Sequence, residues 1–469
     1  MTARTVIDVW VADLTFPGYM DRLHQIGAAF ERAHPEYRIS IEGRDFRTLS
    51  QQIAQAADEG RPPAVAEYYF AVTQAARDTR TPDGRPLFTS LERAIDGRTH
   101  ILGEPVITGD LLPAVRAYYS PRGELTSMPA VVTAMLLYGN KPVLERAGIE
   151  DLPTTWAEVE AACEAVAALA DGPSHGITWT NHGLFFQQAL AVQGADLADH
   201  GNGRTGRARR LALDSPALLS FARWWQDLHR KGHYLYTGKI PDWEGNLTAF
   251  AAQDVALRIT SSNDLTYMAM AAGNAGFEMS VGRFPARDGH PYGGNIIAGT
   301  SLWLTDGLDT PTQDGALAFL QFLNNPRNAA DRHIHNSFVP LTHASHRLLE
   351  DEGWFDTHPH HRLASQQLGS YAPGQDGDGV PPCRGALFGD FAGAQDVMTR
   401  AMDDVLLRQA PLEERFAKAT AEAQGLLDAY ENDRVTHGVR AAQSLRVEYF
   451  RDAEEYTGAA LADAVKARR

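Results

Sequence analysis

The sequence predicts an α/β protein built as two lobes, and three observations carry that prediction. The first seventy residues alternate strand, helix, strand, helix, strand, the order that builds a parallel sheet flanked by helices. A turn at Ser127-Met128-Pro129 precedes the apolar run Met135-Leu136-Leu137-Tyr138, where the chain passes into a second core. The segment Gly293-Gly294-Asn295-Ile296-Ile297-Ala298-Gly299 then feeds the buried run Thr300–Leu304, a helix, and a loop held at Pro340, which marks the return.

Each element has its own local cause. Val6–Val11 is a short, almost unbroken apolar run suited to a buried parallel strand, and the helix after it sets Leu23, Ile26 and Phe30 on one face. Ile39-Ser40-Ile41 alternates as the next strand, Leu49–Asp58 is helical, Ala64–Tyr69 is the third strand, and Thr81-Pro82-Asp83-Gly84 is a turn. Thr155 with Glu158 three residues on is a capping box, satisfying free N–H groups at the start of a helix. The stripe Trp156, Val159, Cys163, Val166 on that helix makes Cys163 a small core residue. Asp214-Ser215-Pro216 opens another helix with proline in its first turn and Leu218, Phe221, Ala222 and Trp225 on one stripe. Val255–Ile259 reads as a strand running into the polar turn Thr260–Asp264. Helices near Gly315–Leu323, Ala394–Leu407 and Leu412–Tyr430 complete the body, and 431–469 is a charged helical extension.

Composition narrows the function. A chain of 469 residues with 44% hydrophobic content builds sizeable cores, and a net charge of -16 argues against a nucleic-acid partner, which needs a concentrated basic surface. The one dense basic stretch, Gly203–Arg210, reads as a solvated loop among glycines. Two cysteines, Cys163 and Cys383, make no disulfide framework and no zinc spacing. The histidines from His333 to His361 lack a two-His-one-Glu pattern and read as a surface stretch rather than a metal site. Gly374–Gly379 lacks the closing carboxylate of a calcium loop, and no Walker loop occurs. No metal or cofactor is expected. No run of 18 apolar residues predicts a membrane span. The start of the chain shows neither an apolar leader core nor a cysteine to carry a lipid, leaving two expectations: extracytoplasmic if a leader has been removed, cytoplasmic if Met1 is the native start.

From Thr5 to about Tyr430 the order of landmarks resembles the extracellular solute-binding proteins of ABC importers, most closely the glycerol-3-phosphate and glycerophosphodiester subgroup. The landmarks are Val6–Trp10 before the helix ending Phe30-Glu31-Arg32-Ala33-His34-Pro35, then Gly60–Val65, Leu137–Lys141 and Pro153–Trp156. The Gly293–Leu304 segment, His335–Thr342, Gly353-Trp354-Phe355 and Arg384-Gly385 complete the series. The resemblance implies a two-lobed periplasmic-binding-protein fold of type II, like maltose-binding protein, with a hinge and an interlobe cleft. Lobe 1 is expected to comprise 1–127 with about 281–325, and lobe 2 about 128–280 with 326–430.

It also implies where a ligand sits: Phe46, Tyr69, Phe70, Thr133, Ser262, Asn263, Asp264, Gly299, Phe338, Arg384 and Leu387, with Trp179 as a stacking ring and Asp13 after the first strand. In the glycerophosphate subgroup a tyrosine is expected near Phe46, a glutamate at Phe70, a tyrosine at Phe338 and an arginine at Leu387. All four polar groups are absent here. A buried phosphate without an arginine loses charge-assisted hydrogen bonds worth about 1.5–3 kcal/mol each. Aromatic faces suit sugars or a largely apolar ligand instead.

Two functions follow. One is capture of a small carbohydrate-like or polyol-type solute, not glycerol 3-phosphate, by a monomeric binding protein that delivers it to a membrane permease. The alternative is a cytoplasmic enzyme using the same cleft for cyclisation or rearrangement of an apolar biosynthetic intermediate, with Asp13, Glu67, His182 and Asp264 as candidate catalytic groups.

Overall fold

A computed structural model of the protein describes residues 4–14, 16, 18–369 and 385–437. Arg384, Cys383, the Gly374–Gly379 tract and all of the 431–469 extension beyond His437 lie outside the described residues. Glu431–His437 continue the last helix.

Two sheets organise the chain. The first is six-stranded, with β1 (Thr5–Asp13) between β2 (Tyr37–Asp45) and β3 (Val65–Tyr69), all parallel, as the βαβαβ order requires. Its remaining strands are β4 (Phe88–Thr89), β7 (Met128–Thr133) and β12 (Ala298–Thr305), with β12 antiparallel to β3, β4 and β7. The short strands β5 (His100–Ile101) and β6 (Glu104–Pro105) form a separate hairpin. Helices Tyr19–Ala33 and Thr310–Leu323 pack on the first sheet. The second sheet runs β11 (Met279–Arg283), β8 (Met135–Asn140), β10 (Val255–Ser261), β9 (His175–Trp179), with only β9 and β10 parallel. Helix Trp156–Ala167 covers β9, begun by the expected capping box of Thr155 and Glu158, with Cys163 buried on its stripe.

The strand pairing locates the passages between sheets. β7 belongs to the first sheet and β8 to the second, so the chain changes sheet at Ala134 rather than at 127/128. β11 extends to Arg283 within the second sheet, and the return occupies the stretch between it and Ala298. Ala134 and Ser262 exchange two hydrogen bonds: the Ser262 N–H donates to the Ala134 carbonyl at 2.7 Å, and the Ala134 N–H donates to Ser262 Oγ at 3.1 Å. A buried amide network pins the return beside this first crossing. Gln367 Nε2 donates both to Asn295 Oδ1 at 2.8 Å and to the Met135 carbonyl at 3.3 Å, and Gln188 Nε2 donates to Asn295 Oδ1 at 3.0 Å.

The basic stretch is not a solvated loop. Arg207 forks onto buried Asp78 at 2.6 and 2.9 Å and reaches Glu431 at 2.6 Å, while Arg204 donates to the Gly385 and Tyr118 carbonyls at 2.7 and 2.9 Å over the Tyr118 ring. Charge-assisted forks of this geometry order a segment that composition alone marks as mobile. The histidine stretch also departs from expectation, because His333 and His361 are buried against Trp354 and Phe355. No group of three or more metal-ligating side chains occurs among the described residues.

Gly299 is the backbone position on which the junction is most demanding. It has φ +135°, and a Cβ there would lie 1.9 Å from the Val131 carbonyl oxygen on the neighbouring strand. We expect Gly299→Ala to destabilise the protein by at least about 2 kcal/mol. Gly273→Ala, in a helix with open space around the new methyl, is expected to stabilise it by about 0.5–1 kcal/mol. Thermal denaturation of the two variants checks the contrast, and equal effects contradict it.

Candidate functional site

The sheets face one another across a small cavity built at the strand ends nearest the Ala134 crossing. From the first sheet come Leu14 and Phe16 beyond β1, Tyr69 at the end of β3, Val131 and Thr133 of β7, and Ala298–Thr300 of β12. The second side supplies Ser261 at the end of β10, Asn263 and Asp264 beyond it, Leu184 in the first turn of helix Gly183–Val192, and Trp243 at the start of helix Trp243–Ala251. Phe338 closes the gap from the loop after helix Pro326–Asn336. That loop is held by the Val339 N–H donating to the Val132 carbonyl at 2.9 Å and by His333 Nδ1 bonding the Phe338 carbonyl at 2.8 Å. Strand ends in an open α/β sheet leave side chains free to face a crevice, because the strands' own backbone groups are already paired.

The free space between these walls is about 20 Å³, little more than one water molecule occupies. Small-molecule sites usually span about 300–1,000 Å³, so a solute of sugar size enters only when the walls separate. Rings do most of the closing. Phe16 lies 5.9 Å edge-on to Phe338 and 6.4 Å from Tyr267, and Tyr19 meets Phe338 edge-on at 5.9 Å.

Of the residues singled out in the sequence, Tyr69, Thr133, Asn263, Asp264, Gly299 and Phe338 line this cavity. The others do not. Trp179 is 1% exposed and sits in the second core, stacked at 5.4 Å on Trp224 and packed on Trp225 and Tyr234. Phe46 packs on Tyr69 at 6.2 Å, Phe70 lies between Tyr69 and Phe391, and Leu387 is buried with its N–H on the Asn202 carbonyl. Ser262 serves the crossing, and Asp13 ends β1 in register with Asp45. Sequence reasoning missed Leu14, Phe16, Val131, Leu184, Trp243 and Thr300. Leu14 and Phe16 follow strand β1, so the strand-end rule that found Asn263 reaches them too, whereas Leu184 lies inside the helix after β9. Trp243 begins a helix and carries no such signal.

The charged groups around the cavity are committed to one another. Asp264 Oδ2 accepts from Thr260 at 2.6 Å and from fully buried Arg258 at 3.4 Å, and Asn263 donates to its Oδ1 at 3.2 Å. Burial raises the Asp264 pKa and Arg258 pulls it back down. Arg258 also donates to the Trp243 carbonyl at 3.2 Å, which anchors that ring's backbone. Behind the first-sheet wall, Glu67 accepts from the Ala12 N–H at 2.7 Å and from the Thr300 hydroxyl. Burial pushes its carboxyl up to about 7, against the opposing pull of those bonds and of Arg332. Arg332 itself donates to the Ala130 carbonyl at 3.0 Å and to Asn324. His182 caps helix Gly183–Val192 through Nδ1, and burial lowers it to about 3, so it stays neutral across the physiological range. Among the described residues lining the cavity there is no lysine or arginine.

Two short sequence patterns, a G-x-S-x-G and a G-x-G-x-x-G spacing, occur in the chain and carry no chemistry here. Gly172-Pro173-Ser174-His175-Gly176 has the spacing of a hydrolase elbow but runs into β9 instead of out of a strand, and Ser174 donates to the Asp254 carbonyl at 3.1 Å. Gly201–Gly206 has a G-x-G-x-x-G spacing, yet it lies in the Arg204–Arg207 anchor, where a Cβ on Gly203 would meet the Leu387 carbonyl oxygen at 1.9 Å.

Residues 25–362 match the sequence model described as "Bacterial extracellular solute-binding protein". The chain is 25% identical over 419 residues to the sn-glycerol-3-phosphate-binding periplasmic protein UgpB of Yersinia enterocolitica, covering 87% of this chain and 90% of that one. Among solved structures it is similar to UgpB from Mycobacterium tuberculosis in complex with glycerophosphocholine, at TM-score 0.67 and 20% identity over 91% of this chain and 99% of the other. It is also similar to the sugar-binding protein MalE from Xanthomonas citri, at TM-score 0.70 and 15% identity over 92% and 100%. The fold is the two-lobed type II binding-protein fold, with the cavity in its interlobe cleft.

Glu67 yields a test with a definite sign. The folded protein holds its proton to about pH 7, whereas the unfolded chain releases it near the ordinary 4.5, so this group's stability contribution is lost as pH rises between those values. We expect the melting temperature of Glu67→Gln, relative to the unsubstituted protein, to be more favourable at pH 8 than at pH 5. A difference independent of pH contradicts the assignment.

Proposed function

This chain belongs to the bacterial extracellular solute-binding protein family, and from that premise we propose that its cleft takes an uncharged carbohydrate-like or polyol-type solute, not glycerol 3-phosphate. The observation that carries the proposal is the cavity wall: Phe16, Tyr69, Trp243 and Phe338 with no lining cation, and the nearby Arg258 and Arg332 already engaged. Ring faces pack on the C–H faces of sugars, while Thr133, Asn263 and Ser261 offer polar atoms that fix orientation. A phosphate dianion brought here sheds its water without a guanidinium to replace it.

The family's members serve ABC importers, so the partners are a small solute and a membrane permease. No helix among the described residues is long and apolar enough to cross a membrane. We place the protein on the extracytoplasmic side, acting as a monomer whose lobes part to admit the solute and close on it. Lobe boundaries are proposed to follow the strand pairing, at Ala134 and between Arg283 and Ala298. Asn263, Thr133, Tyr69 and Phe338 are proposed as ligand contacts, joined by Trp243. The comparisons give the cyclase-type alternative no support. Of its candidate catalytic groups, Asp264 and His182 are held by structural bonds and Glu67 lies behind Thr300.

Calorimetric titration tests this reading. Binding is expected from at least one member of a panel of neutral mono- and oligosaccharides and polyols, with no heat from glycerol 3-phosphate. Trp243→Ala is expected to weaken the bound sugar at least about tenfold, while Trp179→Phe changes stability rather than affinity. Binding of glycerol 3-phosphate in preference to every neutral solute overturns the proposal.

A further inference from the structure

A groove of about 520 Å³ lies between helix Thr73–Asp78, Arg80 and Pro86 on either side of the turn after it, β4 and the turn at Pro121–Gly123, with Arg207 reaching in from the segment after Gly203. It shares no lining residue with the cleft cavity. Five arginines line it, Arg77, Arg80, Arg93, Arg122 and Arg207, against two carboxylates, Asp78 and Glu124. Both carboxylates are taken. Asp78 holds Arg207, and Glu124 holds Arg93 at 2.6 Å. Arg77, Arg80 and Arg122 form no ion pair among the described residues: Arg77 donates to Gln74 Oε1 at 3.0 Å and Arg80 to the Arg77 carbonyl at 3.5 Å.

Three unpaired guanidiniums gathered in one groove are unexpected on a protein of net charge -16. Arg122 repels Arg77 across the groove. Burial lowers the pKa of Arg77 first, and Arg122, Arg207 and Arg204 lower it further against the pull of Asp78. Arg122 adds an independent sign. Its backbone sits at φ 60°, a left-handed conformation that a glycine adopts without steric penalty, and its side chain is exposed, with no hydrogen bond to the described residues. Its guanidinium is therefore open to a ligand in the groove.

We propose that this groove binds a small molecule carrying a phosphate dianion, with Arg77, Arg80 and Arg122 as its cationic contacts. Guanidinium forks match the tetrahedral oxyanion, whose charge offsets the repulsion between Arg122 and Arg77. The groove is roomier than a bare phosphate needs, so the organic part of a phosphate ester also fits within it.

Equilibrium titration at low ionic strength with inorganic phosphate and with ribose 5-phosphate tests the proposal. Binding of either, weakened by added salt and reduced at least about tenfold in both Arg122→Gln and Arg80→Gln, is the expected result. Ester binding much tighter than inorganic phosphate identifies an organic phosphate as the ligand, and equal binding identifies the free ion. Arg223→Gln removes the same charge from a distant surface pair with Glu413 and is expected to leave the affinity unchanged. Glu124→Gln, which frees Arg93, is expected to tighten binding. Failure of both anions to bind at millimolar concentration overturns the proposal, as does equal loss in Arg122→Gln and Arg223→Gln. Melting temperatures of all variants separate loss of the site from loss of the fold.

Discussion

Everything that makes the cleft depends on the crossing at Ala134, where that residue and Ser262 exchange a backbone and a side-chain hydrogen bond. One end of β7, the start of β8 and the end of β10 meet there, and β12 is threaded past them only because Gly299 has no side chain. Buried peptide groups must be paired, and at this junction they are paired with each other across the two sheets. The side chains of Val131, Thr133, Ser261, Asn263 and Thr300 are left to form the cavity floor. We propose that the lobes pivot at the same junction, where a few residues can absorb a change in backbone angle.

A second constraint is electrostatic. Buried ionisable groups near the cleft are neutralised within the protein: Asp264 by Arg258, Glu67 by retention of its proton, and Arg332 by a carbonyl and Asn324. Breaking one partner of such a set leaves an uncompensated buried charge, which costs about 3–5 kcal/mol, so these groups are poorly free to serve a ligand. The wall offered to solute is therefore ring-rich, and its one carboxylate among the described residues, Asp264, is already paired. Net cationic character appears elsewhere, in the arginine groove, while Arg207 ties the segment after Gly203 to helix Thr73–Asp78 and to the final helix.

Local pattern made the strands legible. Runs such as Val6–Val11 and Val255–Ile259 lie inside β1 and β10, and the capping box at Thr155 starts its helix where the sequence places it. Cavity residues that follow a strand, such as Asn263 and Tyr69, were legible for the same reason. What stayed hidden depends on pairing between distant segments. Nothing in Met128–Thr133 announces that it joins β12, and nothing in Arg204 or Arg207 announces Tyr118 or Asp78 as partners. Trp179 and Trp243 are indistinguishable as residues. One faces the core because Trp224 stacks on it and Tyr234 packs against it, and the other faces the gap because its helix begins at the cleft.

A crystal structure of the protein with the solute recovered bound to it from its native host tests the central claim most directly. The account predicts a neutral ligand between parted walls, ring faces of Trp243, Tyr69 and Phe338 against it, and its hydroxyls within hydrogen-bond reach of Asn263 and Thr133. A solute seated outside the interlobe gap, or one whose negative charge is met by a lysine or arginine within it, contradicts the account.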